Sequence, residues 1–464
     1  GNMVVTGSQT INPKPLTVTT VASSKVYDGM TTATTNLSSV ERVAGDDVVY
    51  VSGASNFGDK NVGVTKTVTT TGLGLGGSDA ANYSLQNTFA ATTASITAKP
   101  LTISGITAAD KTYDGTTNAS VNTSGVTTAV LQAGGMVSGD DVRVSATGQF
   151  RNANNTLDDK NVGFQKTVLL QSVYAGLDAG NYAITHQATT TASISRKDIQ
   201  LTGMSVASSK VYDGNTDAAV LGAPSLMSGV LPGSSQATDG LPIATDNLNL
   251  TGAASATYNS KDVLIASSVS FSGIQLAGGD AHNYRLINQS DVSATITPKV
   301  LTVKANDDAQ FVTRGDVAGF AGVSYSGFVP NESAADLAGS LRISRSNAGV
   351  TAAGEYPGVL VPSGLSASNY SVVNVPGQYT IVPANQLLVR VTNSSTTYGT
   401  AAALGISSAQ YLDDQSNEIK NLTGNITQSN GVFSFTDGAS GSVQFALGLS
   451  NPNMSQSGLP GVGV

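Results

Sequence analysis

The tripeptide with the sharpest chemical meaning in this chain is Arg314-Gly315-Asp316. A cation and a carboxylate held apart on an exposed turn are what an integrin-type recognition sequence requires. When the starts of the repeats described below are aligned, however, Gly315 falls within one or two positions of Gly29, so the tripeptide also reads as one repeat's version of a shared turn. The aspartate pairs Asp46-Asp47, Asp140-Asp141 and Asp158-Asp159 raise bound calcium as a second chemistry. Calcium takes six to eight oxygens, mostly from one convergent loop. No dense Asp-x-Asp-x-Asp run supplies them, and solvated turn carboxylates are the simpler reading. Lys25, Lys60, Asn61 and Asn82, with their later equivalents, suggest a Lys–Asn isopeptide staple, for which no acid partner stands out.

Catalysis has little to work with. The only histidines, His186 and His282, fall in different repeats, whereas a nucleophile–histidine–acid set needs its partners together. There is no Cys, which excludes disulfides and thiolate metal sites. With no Trp, sugar stacking would fall to tyrosines, and these recur where core residues are expected. The expectation is therefore no enzyme, no catalytic residue and no cofactor.

The elements that hold these residues are strands. Charged residues are 12% of the 464, about half the usual share. Apolar residues make up 40% and alternate with polar ones, as in Thr65-Lys66-Thr67-Val68-Thr69-Thr70, the pattern of half-buried antiparallel strands. The net charge of −8 and the lack of a basic stripe argue against nucleic acid. No apolar run approaches membrane-spanning length, so no membrane insertion is expected.

Three blocks recur. Tyr27-Asp28-Gly29 returns as Tyr113-Asp114-Gly115 and Tyr212-Asp213-Gly214, each preceded by a lysine two positions earlier. Asp59-Lys60-Asn61-Val62-Gly63 returns as Asp159-Lys160-Asn161-Val162-Gly163 and more weakly as Ser260-Lys261-Asp262-Val263. Asn82-Tyr83 returns as Asn181-Tyr182 and Asn283-Tyr284, each pair following an aspartate and leading to an alternating strand. Asp-Gly and Asn-Gly neighbourhoods are turn signals, because glycine tolerates positive φ and aspartate bonds to nearby amides. Gly45-Asp46-Asp47 and Gly139-Asp140-Asp141 begin either a short helix or a tight turn.

The period is roughly 85 to 100 residues, which is domain-sized rather than a solenoid turn. The boundaries read as 1–14 for the end of a preceding repeat or a cloning remnant, then 15–99, 100–197 and 198–298 for three full repeats. Two divergent repeats follow at 299–384 and 385–464, the last one incomplete in pattern, with Tyr398-Gly399 and Asn453-Met454 at the signature positions. The whole reads as a piece of something longer. The fold expected is mostly β: about five β-grasp-like or small-sandwich domains in tandem. Short joints with Pro100, Pro298 and Pro383 stiffen them into an elongated, monomeric rod on the order of 200 Å long.

Together the three blocks resemble the repeats named for Tyr-Asp-Gly in large bacterial exoproteins of the filamentous-haemagglutinin type, which leave the cell by two-partner secretion. The last two units resemble the β-grasp-like MBG repeats found beside them. The layout is similar to that of a Pseudomonas biofilm-matrix adhesin. The resemblance implies an extracellular or cell-surface adhesin stalk that projects an adhesive tip in adhesion, aggregation or biofilm formation. It also implies an outer-membrane secretion partner engaged through other regions of the parent. The rival reading is that the repeats themselves hold exopolysaccharide or a host receptor, through Arg314-Gly315-Asp316 among other surfaces.

Overall fold

In a computed structural model of the chain, the residues described are 1–464 apart from 235, 393–396, 398–399, 401–403, 437–441 and 449–464. The signature positions expected at Tyr398-Gly399 and Asn453-Met454 lie outside the described residues. The regular structure of the described residues is almost all strand, and the one described α-helix is Thr128–Ala133, capped by the Thr127 hydroxyl.

Each of the first three repeats has two parts, here called the head and the tail. In the second repeat the head pairs Lys99–Thr102 in parallel with Tyr182–Thr185, and a ribbon of Thr107–Ala108 and Val121–Asn122 lies against the tail. The tail is a five-stranded sheet in which Lys111–Thr112 runs parallel to Thr189–Ser195, followed by Gly163–Ala175, Arg143–Phe150 and Asn118–Ala119. The parallel pairings join strands about 80 residues apart in sequence. The Tyr-Asp-Gly turn leaves the first tail strand, and the Asn-Tyr block opens the head strand Tyr182–Thr185.

The strand alternation read from the sequence is the burial pattern. In Phe89–Thr97, Ala94 and Ile96 point into the core and the intervening residues face outward. The facing strand Gly63–Thr71 slips register at a bulge whose Thr65 adopts a left-handed φ of 48°. Gln165 does the same at 45° in the second repeat. An L-residue is disfavoured there by about 1 kcal/mol. The bulge brings Lys66 and Lys166 onto Asp59 and Asp159, fixing the loop that carries Lys60 and Lys160.

The fourth repeat keeps the scheme, with Asn369-Tyr370 as the one signature block it retains. Lys299–Ala305 pairs in parallel with Tyr370–Val375, and Asp308–Phe311 in parallel with Gly377–Val382. In the fifth, Ile406–Leu412 pairs antiparallel with both Leu387–Val391 and Ile419–Asn421, and Val432–Thr436 with both Ile426–Ser429 and Ser442–Ala446.

The chain forms two compact units, and the division falls inside the third repeat. One unit is 1–202, 225–251 and 275–287; the other is 203–224, 252–274 and 288–464. The first therefore holds repeats one and two with the head of the third. The second holds the tail of the third with repeats four and five. In the first unit, Tyr27, Phe57 and Val68 of the first tail share a core with Leu101 and Ile103 of the second head, whereas Leu16, Val18, Val48, Leu73 and Tyr83 of the first head form a separate one. Sequence repeat and packed body are out of phase.

Candidate functional site

The signature residues converge at the joints, where the tail of one repeat meets the head of the next. Lys25, Lys111 and Lys210 serve the turn itself. Each Nζ donates to the turn aspartate, Asp28, Asp114 or Asp213, at 2.7–2.8 Å, and to two backbone carbonyls beyond it. The ammonium groups also lie 5.4–5.5 Å from the ring centres of Phe57, Phe150 and Tyr258. Burial works against the charge of Asp28 and Asp213, but the lysine and a backbone N–H outweigh it and hold both carboxyls below their usual range. Gly29, Gly115 and Gly214 follow with φ of 77–83°.

The turn aims the preceding tyrosine across the joint. The Tyr27 hydroxyl donates to Asp140 Oδ2 at 2.9 Å, and Tyr182, from the head of repeat two, donates to the same oxygen at 2.5 Å. The two rings meet edge to face, 5.6 Å apart. Lys60 Nζ reaches Asp140 Oδ1 at 3.0 Å and Asp178 Oδ1 at 2.7 Å. Asn181 accepts the Val62 N–H at 2.9 Å and donates to Asn61 Oδ1 at 3.1 Å. All three sequence blocks thus meet, but the Tyr-Asp-Gly and Lys-Asn-Val blocks come from one repeat and the Asp-x-x-Asn-Tyr block from the next.

The second joint repeats this with Tyr113, Lys160, Asn161 and Val162 facing Asp246, Asp280, Asn283 and Tyr284. It is drier: the Asp246 side chain is 0% exposed. Pro232, Gly233 and Ile243, from the extra segment of the third repeat, pack on the second repeat's turn, where Gly233 N–H donates to Asp114 O at 2.8 Å. At the third joint Tyr212 and Tyr370 both donate to Glu332, and Lys261 lies 3.8 Å from it. Asn369 accepts the Val263 N–H at 3.0 Å and donates to Asp262, which stands in for the earlier asparagines.

Electrostatics follow from this packing. Burial, reinforced by the carboxylate acceptor, pushes the tyrosines Tyr113, Tyr182, Tyr212 and Tyr284 well above the ordinary phenol value. Asp178 and then Asp140 hold Lys60 above the usual lysine range, and Lys60 in turn holds Asp178 low.

The joint carboxylates were not legible beforehand in repeats three and four. Gly45-Asp46 and Gly139-Asp140 form tight turns rather than helix starts, with glycine φ of 98° and 93°. In later repeats Thr245 and Asn331 replace the glycine, which hides Asp246 and Glu332. A spacing signal would have found them. The acid lies 37, 42, 38 and 38 residues before the head tyrosine in the four repeats.

Arg314-Gly315-Asp316 sits on an exposed loop between Asp308–Phe311 and Val323–Ser326. Its left-handed residue is Thr313, at φ 68°, and not Gly315. Arg314 donates to the Asn417 carbonyl at 2.7 Å, and Asp316 accepts from Arg345 Nε at 3.0 Å. Arg345 lies over the Tyr379 ring, whose hydroxyl burial and Asp316 push up to about 12. The calcium candidates are engaged locally: Asp47 accepts from Ser78, Asp141 from Arg143 and Asp158 from Arg151. Among the described residues no group of His, Asp or Glu side chains forms a metal-ligand set. Lys60 meets carboxylates, and Asn61 meets Asn181.

Comparison with known families agrees with the repeats. The family model described as YDG domain matches residues 12–94, 97–192 and 195–294. The one described as MBG domain (YGX type) matches 301–380. No curated protein matches the chain.

Proposed function

We propose, for a chain that belongs to the YDG-domain family, that these repeats are a non-catalytic, load-bearing spacer of a secreted or surface-displayed bacterial adhesin. In this reading the repeats hold an adhesive region away from the cell, in adhesion, aggregation or biofilm formation. The observation that supports it is the joint. Three times a tail tyrosine and a tail lysine converge on a carboxylate of the following head, with a head tyrosine on the same acid. Neighbours bound through buried hydrogen bonds resist separation in a way that flexible linkers do not. Function then lies in length and stiffness, and no cofactor is needed.

The test is binding. Labelled exopolysaccharides and a glycan array are presented to the whole chain. A spacer gives no saturable binding. Saturable binding to one polysaccharide, abolished by competing free sugar, would replace the spacer by a polysaccharide-binding array.

A further inference from the structure

The first head carries the same receiving face as the second and third, and nothing described lies on it. Tyr83 donates to Asp46, and Val43 N–H donates to the Tyr83 hydroxyl at 2.9 Å, as Val137 and Ile243 do to theirs. Asp79 accepts the Asp47 N–H at 2.8 Å, as Asp178 and Asp280 accept theirs. The face is therefore formed. What differs is occupancy. Asp46 and Asp79 have no cation partner among the described residues, whereas Asp140 and Asp178 share Lys60, and Asp246 and Asp280 share Lys160. Asn82 is exposed, whereas Asn181 is 4% and Asn283 0% exposed. Val43 is 47% exposed, at the position where Val137 lies against the Gly29 turn.

A second observation is independent of that face. Ile11 precedes Lys14 as Ile96 precedes Lys99, Ile194 precedes Lys197 and Ile296 precedes Lys299. Those three isoleucines close the last tail strand and are 1–2% exposed, whereas Ile11 is 91% exposed. An isoleucine in register with three core residues, lying in water beside an uncovered head, marks what covers it.

We infer that the face formed by Asp46, Asp79, Asn82 and Tyr83 is a docking surface for the tail of a further YDG repeat joined ahead of Lys14. That tail supplies a tyrosine hydroxyl to Asp46, a lysine to Asp46 and Asp79, and an Asn-Val amide to Asn82. Charge complementarity selects it: two carboxylates await one ammonium. A second copy of this chain does not qualify, because its three YDG tails are already covered by their own following heads. The inference stands on joint geometry and does not depend on the spacer reading.

The test extends the full chain by placing a copy of residues 97–196 in front of Lys14 in place of residues 1–13. Hydrogen exchange is followed by mass spectrometry over residues 40–48 and 79–86. Exchange should slow about tenfold or more in the extended chain relative to the parent. Y113F with K160A in the added copy should abolish most of that protection while the copy's own core stays protected. Equal exchange in parent and extended chains, with residues 136–142 and 178–185 protected in both, would overturn the inference. So would protection of the parent that rises with concentration, since the occupant would then be a second chain.

Discussion

The Tyr27 hydroxyl donates across 113 residues to the carboxylate of Asp140, which also receives the hydroxyl of Tyr182. One acid side chain thus closes a contact between two repeats and a contact inside the second. Its side chain is 4% exposed, so water cannot replace either donor. Replacing Asp140 by alanine strands two buried hydroxyls and removes one partner of Lys60. A loss of about 3 kcal/mol is expected, measured by urea denaturation with tyrosine fluorescence. Asp246→Ala should cost more, because that acid is wholly buried.

Sharing one oxygen makes the two tyrosines interdependent. Tyr27→Phe and Tyr182→Phe should each cost about 1–2 kcal/mol. Their double mutant should depart from additivity by about 0.5 kcal/mol or more. A strictly additive cycle would show that the hydroxyls act on the acid independently.

Alkaline pH should loosen the joints. Tyr113, Tyr182, Tyr212 and Tyr284 have folded values above the unfolded one, and so has Lys60. The stability they contribute is fully present below the unfolded value of about 10 and is lost as pH rises through the folded values. Ultraviolet titration should therefore show a delayed tyrosinate fraction that appears together with unfolding. On the acid side Asp28, Asp178 and Asp213 are lowered, so their contribution is present above about pH 4 and is lost as pH falls through their folded values.

The turn glycine faces two separate constraints. At Gly29 a Cβ would lie 2.9 Å from Val137 Cγ1, and φ is 78°. Gly29→Ala should cost at least the ~1 kcal/mol of left-handed strain, plus the clash. Adding Val137→Ala should remove the clash and leave the strain, giving partial recovery in thermal unfolding.

Asp316 is tied to Arg345, itself seated over Tyr379. Asp316→Asn should lower the melting temperature of the fourth repeat. Attachment of integrin-bearing cells to immobilised chain should be unchanged. Attachment that vanishes with Asp316→Glu, a substitution that keeps the charge, would instead make the tripeptide a ligand.

Strands, repeats and signature residues were legible because alternation and turn chemistry are local properties. Tyr27 was readable as a core residue, and its burial at 1% fits that reading. The partner of its hydroxyl was not readable, because the acid lies in another repeat and its turn changes from glycine to Thr245 and Asn331. The lysines were visible but their roles were not: Lys25 and Lys60 look alike in sequence, yet one holds its own turn and the other crosses the joint. The third copy, with Ser260 and Asp262, is the weaker match to the pattern in sequence. In the fold Ser260 accepts the Asp262 N–H as Asp59 accepts that of Asn61, without the ion pair Asp59 makes to Lys66, and Asp262 accepts from Asn369 as Asn61 does from Asn181.

Because packed bodies straddle the sequence boundaries, each of the three YDG periods carries one donor half and one acceptor half of the same contact. A gene duplication that copies a whole period in frame therefore inserts a segment already matched at both ends. The array can lengthen or shorten by recombination without any new interface having to evolve. Glu332 shows how far this extends: the MBG-type repeat presents an acid to Tyr212 and so accepts a YDG tail, allowing modules of two families to be spliced in series.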